Sequence, residues 1–232
     1  MKMKNKTAEQ AAKRQKHKEA LKGKRRQAPD LKRNAPAKEE KPTILIVCEG
    51  ENTEPSYFRQ FRLSNAIIKP IGEGYNTLSL VKRAGELAGE KSYDQVWCVF
   101  DKDSFGDFNE AISTAKTKGY RVAYSNQAFE YWIILHFDDH QGGGMHRKDY
   151  DKKINDLLKP FGIEYDGEGS KTVTPELFAL LEGTDAKAKK SRQLLAITRA
   201  KRNHDQFDHK NPASQESSTT VFELVEELLK YV

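Results

Sequence analysis

The chain has 232 residues, 37% apolar and 32% charged, enough for one good core and a small helical appendage. No apolar run is long enough to span a membrane, and the basic N-terminus lacks the apolar stretch of a secretory signal, so the reading is of a cytoplasmic protein. The net charge of +6 is unevenly placed: residues 1–42 hold 15 Lys/Arg against 5 Asp/Glu, and the rest hold 25 against 29.

Residues 1–21 have helix-forming composition but an apolar face of only alanines and Leu21, which makes a stable isolated helix doubtful. Residues 22–42 carry Gly23, Pro29, Pro36 and Pro42 and read as linker. Lys13, Arg14, Lys24, Arg25 and Arg26 are the tail's candidates for nucleic-acid phosphates. The alternative is a solubilising arm.

The folded part is expected from about residue 42. A strand over 43–48 runs into a helix for which Thr53 or Glu54 is the expected N-cap, with Pro55 in the first turn. A short strand follows at 66–70, then a helix over 77–89 with Leu78, Val81, Ala84 and Leu87 on one face. A strand at 94–100, a helix at 105–118 closed by Gly119 and a strand at 120–125 complete the alternation, and the aromatic run 129–137 reads as a buried helix. Strands that alternate with helices imply a parallel sheet with helices on both faces. Past Asp138, helices fit 147–159, 174–182, 185–203 and 218–231. The third is basic, with Leu194, Leu195 and Ile197 as its apolar stripe. The organisation is a basic tail over 1–41, an α/β core over 42–140 and a helical extension over 141–232 packed on that core. Cys48 and Cys98 fall in strands and read as free buried thiols of a reducing compartment. No Cys/His spacing matches a zinc motif.

Chemistry concentrates at two strand ends. The first strand runs into Glu49-Gly50-Glu51-Asn52-Thr53-Glu54, the other into Asp101-Lys102-Asp103. Asp101 and Asp103, two apart on extended chain, point to the same side and raise each other's pKa unless neutralised. Glu49 directly follows five apolar residues, and Gly50 lets the chain turn there. Oxygen ligands at the C-terminal ends of neighbouring strands suit Mg²⁺ or Mn²⁺. The bland alternative is a pair of polar turns before helices. Glu130 and His136 are secondary candidates, against a paired buried acid and a hydrogen-bonded core histidine. Lys102, His140, His146 and Arg147 are weaker candidates for substrate contact.

These segments carry a resemblance. Residues 48–58, CEGENTEPSYF, look like the opening motif of the RloB-like family, and Asp101-Lys102-Asp103 matches its second. SNQAFEYWIILHF at 125–137 resembles its third, with Gln127 where proline is usual. Asn211-Pro212 and Ser218-Thr219-Thr220-Val221 resemble its ending, split by an insert. The similarity runs from about residue 42 onward.

The family is similar to Toprim domains of topoisomerases, primases and OLD-type nucleases. The resemblance therefore implies a Toprim-like α/β fold with a C-terminal helical extension, and a Mg²⁺ or Mn²⁺ site at Glu49, Asp101 and Asp103. Glu54 resembles the additional acid of OLD-type nucleases. The implied activity is hydrolysis of DNA or RNA phosphodiesters, tRNA among the candidates, in anti-phage defence beside an ATPase encoded nearby. No second domain with a tyrosine nucleophile is visible, so hydrolysis is favoured over strand passage. The competing reading is a nucleic-acid- or ATPase-binding module with a non-catalytic acidic site. The sequence leaves the oligomeric state open.

Overall fold

The apolar runs Ile44–Cys48, Ala66–Pro70, Gln95–Asp101 and Arg121–Asn126 form strands β1, β2, β3 and β4 in a computed structural model that describes residues 3–26, 41–70, 77–102 and 106–232. β1 is buried along its whole length, as a strand covered on both faces must be. β2, β1, β3 and β4 lie side by side in that order, all parallel, with Val47 opposite Lys69 and Cys98. The mixed α/β class expected from the sequence is the observed one.

Alternate residues of each strand point to opposite faces. Ile44, Ile46, Cys48, Trp97, Val99 and Ala123 face α2 (Thr53–Arg59), α5 (Glu130–Phe137) and the later helices. Leu45, Val47, Cys98, Phe100 and Tyr124 face α3 (Thr77–Glu90) and α4 (Phe108–Thr117). Each fully buried aliphatic or phenyl side chain contributes about 1.5–3 kcal/mol, which fixes the strand register on both faces. Cys48 and Cys98 lie on opposite faces and both are free.

Beyond Asp138 the chain forms α6 (Tyr150–Leu158), α7 (Pro175–Glu182) and α8 (Arg192–Asp205). It ends in β5 (Ser218–Thr219) and α9 (Val221–Leu229). Two expectations fail here. The helix expected over 185–203 begins only at Arg192, because Asp185 turns back to accept from the amides of Lys187 and Ala188, and Ser191 Oγ caps the helix by accepting from Leu194. Its buried face is therefore Gln193, Ala196, Ile197, Ala200 and Asn203, and Leu194 is 54% exposed. The helix expected over 218–231 gives its first two residues to β5, which pairs antiparallel with Ser125 and Asn126 at the β4 edge, so the sheet is not wholly parallel. Nearby, Asn126 Nδ2 donates to the carbonyls of Pro212 and Ala213, so the two halves of the split ending both pack on Ser125-Asn126.

Residues 1–40 and 41–232 are separate compact units. In the first, α1 (Met3–Arg26) is one continuous helix, longer than the doubtful segment read from its sequence. High helix propensity of Ala, Lys, Gln, Glu and Arg, not an apolar face, sustains it. Lys13 and Arg14 are exposed on it. Lys24, Arg25 and Arg26 are helical rather than linker, and the rest of the expected linker to residue 40 lies outside the described residues.

Candidate functional site

Strand growth changes direction at β1: the chain moves from β1 to β2 on one side, then crosses to β3 on the other. The crevice beyond the C-terminal ends of β1 and β3 is thus a topological switch point, the place where open α/β sheets bind ligands. Both acidic segments emerge there.

The ladder continues one residue past β1, with the Glu49 amide donating to the Val99 carbonyl at 2.9 Å. The side chain returns the link, Glu49 Oε2 accepting from the Asp101 amide at 3.1 Å. Gly50 then leaves room that no other residue would: a Cβ there would lie 2.4 Å from Glu54 Oε2. Glu54, in the first turn of α2, is 5% exposed. Burial pushes its pKa up to about 7, helped by the charge of Glu130, while the amides of Glu54 and Gly50 and the charge of Lys171 oppose the rise. Asp101 is raised well above the usual carboxylate range, first by burial, then by Glu54 and Glu130, with Arg147 opposing and Glu49 adding.

Glu130, the first residue of α5, accepts from the Tyr165 hydroxyl at 2.9 Å, which also meets Thr53 Oγ1 at 3.1 Å. Thr53 does not serve as the helix cap the sequence suggests. Asn52 holds that position, because the threonine hydroxyl is engaged with Tyr165. Arg147 is exposed, and its amide donates to Gln127 Oε1 at 2.9 Å, a bond that proline at that position could not accept.

The structure thus gathers Glu49, Glu54, Asp101 and Glu130, with Arg147 close enough to act on Asp101. Asp103 lies outside the described residues. Lys102 is partly buried beside Asp101, its amide bonded to the Ser125 carbonyl at 2.8 Å. Glu51 is exposed. His136 belongs elsewhere: it is fully buried, its Nδ1 sits 2.9 Å from the Trp132 carbonyl, and burial lowers its pKa to about 3. That is the core-histidine alternative. His140 is held by the Tyr131 hydroxyl at 3.1 Å, and His146 is exposed at the start of the short helix Arg147–Asp149.

The donor set fits a hard divalent cation in its chemistry. Its donors are carboxylate oxygens, and Glu54 and Asp101 are held in surroundings that penalise their charge and leave it to be neutralised. Among the described residues, these acids do not bring three ligand oxygens within 4.8 Å of one another. An ion held by fewer than three of them would complete its shell with water, as Mg²⁺ commonly does. Tyr165 and Lys171 carry no sequence signal that would have marked them, because the irregular chain after α6 brings them in.

Fold and site together define a doubly wound α/β protein with an acidic crevice at its switch point. A family model described as RloB-like protein matches residues 44–228, and the chain belongs to that family. No curated protein and no solved structure matches it. Among the described residues, no helix is long and apolar enough to cross a membrane.

Proposed function

We propose that this chain is a Toprim-like nuclease that hydrolyses DNA or RNA phosphodiesters, tRNA among them, with Mg²⁺ or Mn²⁺, in the bacterial cytoplasm as part of anti-phage defence. The observation that carries the reading is the convergence of Glu49, Glu54, Asp101 and Glu130 at one strand-end crevice, two of them with raised pKa values. A bound divalent ion supplies neutralisation of the phosphodiester and an acidified water.

Glu49, Glu54 and Asp101 would hold that ion, with Asp103 added by resemblance. Glu49, whose carboxylate accepts from the Asp101 amide, would serve either as a metal ligand or as general acid/base. The exposed guanidinium of Arg147 suits a phosphate oxygen, and Tyr165 orients Glu130. The basic tail, with Lys13 and Arg14 exposed, would add sequence-independent phosphate contacts.

A second reading, a nucleic-acid- or ATPase-partner-binding module, draws on the spacing of these acids, no three of which bring ligand oxygens within 4.8 Å of one another among the described residues. The test incubates purified protein with Mg²⁺ or Mn²⁺ and plasmid, single-stranded DNA or tRNA. Cleavage that disappears in Glu49→Ala and Asp101→Ala supports the nuclease. Binding without cleavage under either metal, unaltered in both variants, leaves the binding module in its place. Deleting residues 1–40 is expected to weaken nucleic-acid binding and flatten its salt dependence.

A further inference from the structure

The last turn of α8 carries His204 and Asp205, and the following loop brings His209 back over it. The two imidazole centroids lie 4.3 Å apart with a 31° tilt. One ligand atom from each of the three residues falls within 4.8 Å of the other two, an approach that no other His, Cys, Asp or Glu trio among the described residues achieves.

The tautomer of His204 is set by its neighbours. Gln215 Nε2 donates to the Asp208 carbonyl at 3.2 Å, which fixes the amide so that Oε1 faces Tyr124. Tyr124 donates its hydroxyl proton to that Oε1 at 2.6 Å. The same hydroxyl sits 3.2 Å from His204 Nε2, and having spent its proton it accepts there. His204 therefore carries its proton on Nε2 and keeps the Nδ1 lone pair. A histidine whose second nitrogen is tied to an oriented oxygen is the arrangement that prepares metal ligands.

We propose that His204, Asp205 and His209 form a second cation site, for a divalent transition ion of the zinc class. Two imidazoles and one carboxylate select such an ion over Mg²⁺ or Ca²⁺, which take oxygen ligands. The ion lies at a helix C-terminus, where the backbone dipole favours positive charge. Tetrahedral zinc places its ligand atoms about 3.3 Å apart. Asp205 and His209 are exposed, so side-chain rotation can close the present spacing. The adjoining cavity of about 260 Å³ is lined by Lys116, Arg121 and Glu223 as well as by the two histidines, so one acid offsets part of the cationic rim. Ligation of His209 would pin the loop after α8 to the helix end. The site differs from the acidic crevice in ligand chemistry and shares no residue with it.

The test titrates tag-free full-length protein with Co²⁺ alone as a visible-absorbing probe, in millimolar Mg²⁺ to occupy oxygen sites. One equivalent with a d–d band, displaced by Zn²⁺, is expected. His209→Ala, an exposed change that should leave the circular dichroism unaltered, is expected to weaken Co²⁺ binding at least tenfold. Tyr124→Phe is expected to weaken it about tenfold through the lost orientation. Asp101→Asn is expected to leave the band unchanged, so failure here and failure of the nuclease reading are separable. Equal Co²⁺ affinity in parent and His209→Ala, or a band lost in Asp101→Asn, would overturn the proposal.

Discussion

The Glu49 carboxylate accepts a hydrogen bond from the Asp101 backbone amide at 3.1 Å. The acid that leaves β1 is thereby tied to the acid that ends β3, and the two strand ends act as one unit. Such a bond contributes about 1 kcal/mol, small beside the cost of crowding several carboxylates in one crevice. The crevice is therefore the place where pH and added cations should act most strongly.

Glu54 gives the first expectation. Its folded pKa of about 7 lies above the ordinary value of 4.5. The folded state then binds more protons, and its stability is full below pH 4.5 and lost as pH rises through 7. On the order of 3 kcal/mol should disappear across that window without divalent metal. Glu54→Gln should flatten part of this slope, and Asp101, raised for the same reason, should supply the rest. Urea denaturation at pH 5 and pH 8 with chelator reads both. Identical slopes in parent and variant would remove Glu54 from the account.

Gly50→Ala separates site from scaffold. The added Cβ would meet the far end of the Glu54 side chain, which can swing aside. The expected stability change is under about 1 kcal/mol. The carboxylate, however, must leave its seat. The variant should then copy the pH profile of Glu54→Gln and lose metal-dependent cleavage. Unchanged cleavage in a folded Gly50→Ala protein would show that the seat is not needed.

His136 predicts acid sensitivity of the core. Its pKa of about 3 in the fold lies below the ordinary 6.5. Stability is full above pH 6.5 and is lost as pH falls toward 3, by about 2 kcal/mol between pH 6.5 and pH 5. His136→Leu should remove that slope while costing about 1 kcal/mol at pH 7, since it gives up the Nδ1 bond to the Trp132 carbonyl while Nε2 has no partner to lose. Denaturation midpoints at the two pH values are the measurement.

Glu227 joins the end of α9 to the sheet. Its carboxylate accepts from Gln95, Arg121, Lys230 and Tyr231. These bonds outweigh the cost of burial and hold its pKa near 2. Its contribution is full above pH 4.5 and is lost as pH falls through 2. Glu227→Ala should cost about 2 kcal/mol at neutral pH. A loss below about 0.5 kcal/mol in thermal or urea unfolding would mean that solvent replaces all four donors.

What the sequence reveals follows burial. β1 and β3 are legible because strands covered on both faces must be apolar throughout, and Glu49 and Asp101 are conspicuous because charge begins where those runs end. α8 is misread at its start because Ala and Lys favour helix, whereas the Asp185 side chain captures two amides and Ser191 supplies the cap. That Ser191 signal was present in the sequence. β5 is two polar residues long, and nothing local distinguishes it from the first turn of a helix. Tyr165 is illegible as a site residue, since its partners Thr53 and Glu130 lie far away along the chain and only the closed fold brings them together.

The short pairing of Ser218 and Thr219 with Ser125 and Asn126 has a consequence for dissecting the molecule. Those two residues act as a clasp over the rim of β4, and Asn126 is gripped from the same side by Pro212 and Ala213. A fragment ending after the α/β half would present bare amides and carbonyls beside the crevice, and an uncovered strand of that kind recruits other strands. The halves distinguished along the sequence are thus interlocked where ligand would bind, and neither is a unit that can be borrowed alone.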